Sequence, residues 1–146
     1  MTCIAWDGKT LVADKRGSAG SVAVTVTKIY RLPNGNLVGV SGDLVVGMAM
    51  LAWLQAGANA ADLPEKQKNR DNYCGVLEIR KDGTAWKYED TAFPFQIEDS
   101  FCAIGSGRDF AVAAMHLGKS ALEAVKIACL YDPACGNGFT ELELTC

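Results

Sequence analysis

The sequence is poor in the side chains that hold metals. It has one histidine, His116, and its six cysteines (Cys3, Cys74, Cys102, Cys129, Cys135 and Cys146) include no CxxC pair. A zinc site needs Cys or His clustered at short spacing, so neither a metal nor another cofactor is expected. Basic charge is scarce as well: 14 Lys and Arg stand against 17 Asp and Glu, a net charge of −3. Nucleic-acid and anionic-membrane surfaces need a basic excess, so neither partner is expected. The longest apolar run, Leu44 to Leu54, falls short of the roughly 20 residues that cross a bilayer. Asp7 and Lys9 interrupt any apolar stretch near the start, and no basic segment precedes one, so no export signal is read. The expectation is a soluble, cytoplasmic protein. Without export a disulfide framework is not expected. Five cysteines read as reduced, mostly buried thiols; Cys135 has a separate reading below.

What is present suits one compact domain over residues 1–146. Hydrophobic residues make up 49% and charged residues 21%, enough for a core and against disorder. The first half reads as hairpins. Residues 2–6 and 10–14 flank Asp7-Gly8, a tight-turn dipeptide. Residues 22–27 alternate and are β-branched, so they read as a strand. Residues 28–32 and 36–41 flank Pro33-Asn34-Gly35.

The period then changes. Asp43 can cap a helix running to about Ala56, with Gly57 placed to stop it. Apolar residues lie on nearly every face of this helix, which implies burial on two sides. In so small a chain the second side is read as another subunit. Residues 58–72, polar and containing Pro64, read as a solvated loop or one short helical turn. A third hairpin, 73–80 with 84–89, turns at Asp82-Gly83. A buried strand follows at 101–104, then helices at about 109–117 and 120–130 parted by Gly118, then a strand at 139–144. Strands, helix, strands, two helices, strand is an α+β order. It suggests two stacked antiparallel sheets between helical layers.

Five short motifs carry a resemblance. Asp14-Lys15-Arg16-Gly17-Ser18-Ala19-Gly20 resembles the D-x-R-x-T-x-G signature of proteasome β-subunits and the related bacterial peptidase subunits, with Ser18 for the usual Thr. Lys28 falls where that family's catalytic lysine sits, and the spacing from Lys28 to Ser41-Gly42 matches without a gap. Gly105-Ser106-Gly107 is similar to its glycine-serine-glycine. Asp132-Pro133-Ala134-Cys135-Gly136 resembles its D-x-x-S-G, with Cys135 for serine. Thr2, behind Met1, takes the nucleophile's place. Each motif alone is weak; five in order along nearly the whole chain are specific.

The resemblance implies a four-layer αββα sandwich, the N-terminal-nucleophile (Ntn) hydrolase fold, shortened after the first helix. It also implies an activity: a threonine peptidase that cleaves peptide bonds from Thr2 once Met1 is removed. A threonine hydroxyl is a poor nucleophile until a base takes its proton. The implied base is the freed α-amine of Thr2, whose unperturbed pKa near 7.7–8.0 suits the task. Lys28 would favour the alkoxide and keep the amine neutral, and Asp14 would fix Lys28. The Gly42 N–H would stabilise the oxyanion. Ser106, Asp132 and Cys135 would support the Thr2 amine, Cys135 weakly, because a thiol is a poor hydrogen-bond partner. Ser18 would contact substrate, while Gly17, Val26, Tyr30, Val40, Leu44 and Met48 would surround an uncharged first pocket. That pocket implies a preference for an apolar residue before the cleaved bond.

Partners expected on this reading are a peptide or protein substrate and further copies of the chain in a homo-oligomer; no unfoldase is indicated. Three alternatives stay open at the level of sequence. The chain could be a non-catalytic assembly relative that keeps the fold. It could hydrolyse a small amide. Cys3 could serve as nucleophile if Thr2 were trimmed as well.

Overall fold

Alternation along the first hairpin decides how the molecule is layered. β1 (Ile4–Trp6) pairs antiparallel with β2 (Thr10–Asp14), and Ala5 stands opposite Val12. These two, with Cys3, belong to one core, while Ile4, Trp6, Leu11 and Ala13 belong to another. Side chains of a strand project to alternate faces, so a single hairpin is buried on both sides. The structure is a computed structural model and describes residues 1–145.

Two more strands complete this sheet, β10 (Cys102–Ile104) beside β1 and β11 (Phe139–Glu143) beside β2. Helices α2 (Arg108–His116) and α3 (Ala121–Tyr131) cover one face. Their contribution is small residues, Ala111, Ala114, Ala121, Ala124 and Ala128, packed with Met115 and Val125 against Cys3, Ala5 and Val12. Ser120 opens α3 with a reciprocal cap to Glu123.

The second sheet runs β5 (Ile29–Arg31), β6 (Leu37–Ser41), β7 (Gly75–Ile79), β8 (Ala85–Tyr88), β9 (Phe95–Ile97), all antiparallel. Ile29, Leu37, Leu77 and Ile79 share a core with Ile4, Trp6 and Leu11 of the first sheet. The alternate residues Val38, Val40 and Val76 face helix α1 (Leu44–Gln55) and meet its Val46, Met50, Trp53 and Leu54. The Asp43 carboxylate caps α1 through the Val45 and Val46 N–H groups, as the sequence implied.

Three elements depart from the sequence reading. The Arg16–Ala19 segment, read only as a motif, forms β3 and pairs with β4 (Val22–Thr25) as a separate, largely exposed hairpin. β9 was not expected. It is a three-residue edge strand whose Phe95 and Gln96 are exposed, so burial leaves no alternating pattern to read. Residues 58–72 form two short 3₁₀ turns, Ala60–Asp62 and Glu65–Lys68, and they are not free in solvent. Gln67 is fully buried and its amide holds the backbone of Cys74 and the carbonyl of Glu89. Among the described residues no second long helix stands between α1 and β7.

Cys3, Cys74, Cys102 and Cys135 are buried free thiols, and Cys129 is half-buried; Cys146 lies outside the described residues. Among the described residues no helix is long and apolar enough to cross a membrane.

Candidate active site

Asp14, the last residue of β2, is wholly buried, and the ammonium of Lys28, a residue only 3% exposed, reaches it at 2.9 Å. Removing two ions from water costs several kcal/mol each unless their remaining bonds are also made. They are. Asp14 Oδ1 also accepts the Cys3 N–H (3.0 Å), and Oδ2 accepts those of Arg16 (3.1 Å) and Gly136 (3.0 Å). One carboxylate thus ties together the start of β1, the start of β3 and the turn after α3. Lys28 donates a second bond to the Met1 carbonyl at 3.3 Å.

Thr2 lies beside this pair, 3% exposed. Its hydroxyl donates to the Met1 carbonyl (2.6 Å) and its N–H to Ser106 Oγ (3.1 Å). Its own carbonyl accepts the Gly107 N–H at 3.0 Å. Ser106 passes the chain on, donating to Asp132 Oδ2 at 2.6 Å. That bond holds the Asp132 carboxyl below its ordinary 3.8, and the Ala134 N–H on Oδ1 adds to the effect. Cys135 meets Asp132 Oδ2 at 3.4 Å; its thiol therefore touches the carboxylate and not Thr2. The hydrogen bond with Cys129, and then burial, push the Cys135 thiol up, and the same contact lowers Cys129.

Gly105 makes the approach of Ser106 possible. Its φ is +96°, and a Cβ there would run into the Thr2 carbonyl. Cys3, the alternative nucleophile, turns into the core beneath α2 and α3. Burial above all, with the Asp14 charge, pushes its thiol up to about 12.

A cavity of about 650 Å³ opens over Thr2 and Lys28. Gly17, Ser18, Val26, Val40, Gly42 and Leu44 line it. Tyr30 and Met48 do not: the Tyr30 hydroxyl donates to the Thr27 carbonyl at 2.6 Å and lies 3.8 Å from Met48 Sδ. Gly42 is exposed at φ +116°, and among the described residues its N–H donates to no other group of the chain. Arg16 and Asp43 also line the cavity; the sequence placed neither there. Arg16 stood in view inside its motif, but which face of β3 it occupies is a matter of pairing. Chemically the arrangement offers a hydroxyl next to a buried cation, an unspent backbone donor, and a concave surface above both.

No family model matches this sequence, and no curated protein matches it. Solved structures do. Eukaryotic HslV from Trypanosoma brucei superposes with a TM-score of 0.73 at 18% identity, over 99% of each chain. Thiobacillus denitrificans BPH superposes at 0.70 and 18% identity, over 99% of this chain and 98% of the other. The same protein in complex with epoxomicin gives 0.70 and 17% over the whole of both chains. At these identities the shared property is the fold, and it is the proteasome β-subunit-like Ntn-hydrolase fold that the motifs resemble.

Proposed function

We propose that this chain, which folds as HslV does, is an N-terminal threonine hydrolase that cleaves peptide bonds through an acyl-enzyme on Thr2 after loss of Met1. The observation that supports this best is the placement of the Thr2 hydroxyl, at the cavity and backed by the buried Asp14–Lys28 pair. While Met1 is attached, the Thr2 nitrogen is an amide, its lone pair delocalised into the carbonyl. It cannot act as a base, and the hydroxyl is engaged with the Met1 carbonyl. Removal of Met1 frees both. The new amine stays next to the Ser106–Asp132 relay and takes the hydroxyl proton, directly or through one water. Lys28 stabilises the alkoxide, and the Gly42 N–H meets the charge that develops on the attacked carbonyl. The adduct collapses as its C–N bond breaks, the leaving amine takes the proton held by the Thr2 amine, and water then hydrolyses the ester to restore Thr2. Gly17, Val26, Val40 and Leu44 give the cavity an apolar wall, so cleavage follows apolar residues. On this reading the three cores separate four layers, helices, sheet, sheet and helix.

Intact mass establishes whether Met1 has left, and treatment with an epoxyketone then tests the nucleophile. The expected result is a single adduct on Thr2 in the Met1-free protein and none in Thr2→Ala. A folded, Met1-free sample that takes no label rejects the hydrolase. One observation favours a second reading, a non-catalytic assembly protein: the outer face of α1 (Val45, Met48, Ala49, Ala52) is apolar and exposed, and the helix carries no charged residue. That reading predicts no label together with a stable oligomer.

A further inference from the structure

Three charged side chains line the Thr2 cavity: Lys28, Asp43 and Arg16. Two are already engaged. Lys28 is bonded to Asp14, and Asp43 accepts the Val45 and Val46 N–H groups at 2.9 and 3.4 Å to cap α1. Arg16 differs. Its backbone is fixed, with the N–H on Asp14 Oδ2 and the residue paired with Thr25 across the β3–β4 hairpin. Its side chain is half-buried, yet among the described residues the guanidinium makes no hydrogen bond and no ion pair. It runs past Gly136, where a Cβ would sit in ordinary contact, 3.7 Å from its Cδ and Nη1, so the side chain lies along the 132–136 turn. Pro133 and Ala134 of that turn share the cavity wall with it. The Cα–H side of Gly17 that a Cβ would occupy points the other way, at Val26. Arg16 is therefore separate from the apolar wall.

A guanidinium presents five donors in a planar fork, a shape that matches a carboxylate. Partial burial strips water from those donors and leaves them short of acceptors. We infer that Arg16 is a carboxylate-binding subsite of the Thr2 cavity, which selects peptides bearing a carboxylate close to the cleaved bond. The inference rests on the hydrolase reading of that cavity and adds a substrate class to it. The protein's net charge of −3 opposes acidic peptides at long range. Salt screens that repulsion within about 10 Å at 0.1 M, so the short-range fork decides the preference.

Binding to the full-length Thr2→Ala protein tests this without cleavage. Peptide pairs with an apolar residue at the cleaved position differ only in Glu against Gln, placed on either side of it, or in a C-terminal acid against an amide. The expected result is about tenfold tighter binding of one carboxylate member over its neutral twin, fading in high salt. Whichever pair shows the difference identifies a side chain or a chain end as the source. Arg16→Gln, with folding checked by circular dichroism, abolishes the difference, and Arg16→Lys keeps part of it because a point charge replaces the fork. Equal binding within every pair, no binding at all, or a difference that survives Arg16→Gln overturns the subsite. Epoxyketone labelling of Thr2 is read separately. Label without carboxylate discrimination rejects the subsite and keeps the hydrolase; discrimination without label does the reverse.

Discussion

Gly105 carries two constraints at once, and they can be separated by substitution. An alanine at positive φ costs roughly 1–2 kcal/mol in backbone strain. At Gly20 (φ +62°) that is the whole cost, because nothing lies within 4 Å of the new Cβ. At Gly105 (φ +96°) the Cβ also meets the Thr2 backbone, which Gly107 and Ser106 hold in place. Gly20→Ala is therefore expected to lower stability by about 1 kcal/mol, and Gly105→Ala by about 3 kcal/mol or more. Urea unfolding of the two variants measures it; equal losses mean that the Thr2 strand end yields freely. Residues of this kind differ in how far the sequence reveals them. Asp14, Lys28, Ser106 and Asp132 converge as the motif spacing implies, because each sits at the end of an element whose register is fixed by burial. Arg16 was legible as a residue but not as a site, since the lack of a partner is a property of space and not of sequence. Tyr30 and Met48 find each other instead of the cavity.

The turn from Asp132 to Gly136 shows the same division for an element. Its sequence suggested a hydroxyl-bearing site with a thiol substituted in, and the structure makes Asp132 the hub, bonded to Ser106, Ala134 and Cys135. The Asp132 carboxyl titrates below 3.8 when folded and at about its ordinary value when unfolded. Its contribution to stability is therefore fully present above about pH 4 and is lost as the pH falls through the folded value. Asn at this position can still accept the Ser106 bond but has no proton to gain. Urea midpoints of Asp132→Asn are expected to fall less steeply than those of the unaltered protein as the pH is lowered below about 4. Matching slopes remove Asp132 from the relay. Elsewhere the legible elements are those with a strong period or cap, such as α1 behind Asp43 and α3 behind Ser120. β4 was legible from its β-branched alternation, whereas β3 and β9 are short or solvent-facing, and Gln67 anchors a segment whose composition reads as loop.

For the whole molecule, the α+β order and the strand-by-strand alternation were enough to anticipate antiparallel sheets packed with helices. In this chain α1 is packed on one side only, whereas the sequence implied burial on two, the second against another subunit. The helix buries Val46, Met50, Trp53 and Leu54 against the second sheet and still presents Val45, 73% exposed, and Met48 to solvent. A 12-residue helix is about 18 Å long, and its outer strip supplies a small part of the roughly 800 Å² per partner that a stable interface needs. Self-association through α1 must therefore recruit surface on either side of it, so charge placed on this strip ought to disrupt a cooperative contact. Val45→Lys together with Met48→Glu is expected to convert an oligomer into monomer at micromolar concentration by light scattering. Because both positions lie on the exposed face, the melting temperature of the monomer itself should move little. An unaltered protein that is already monomeric refutes the self-association, and a double variant that stays assembled places the interface on a surface other than α1.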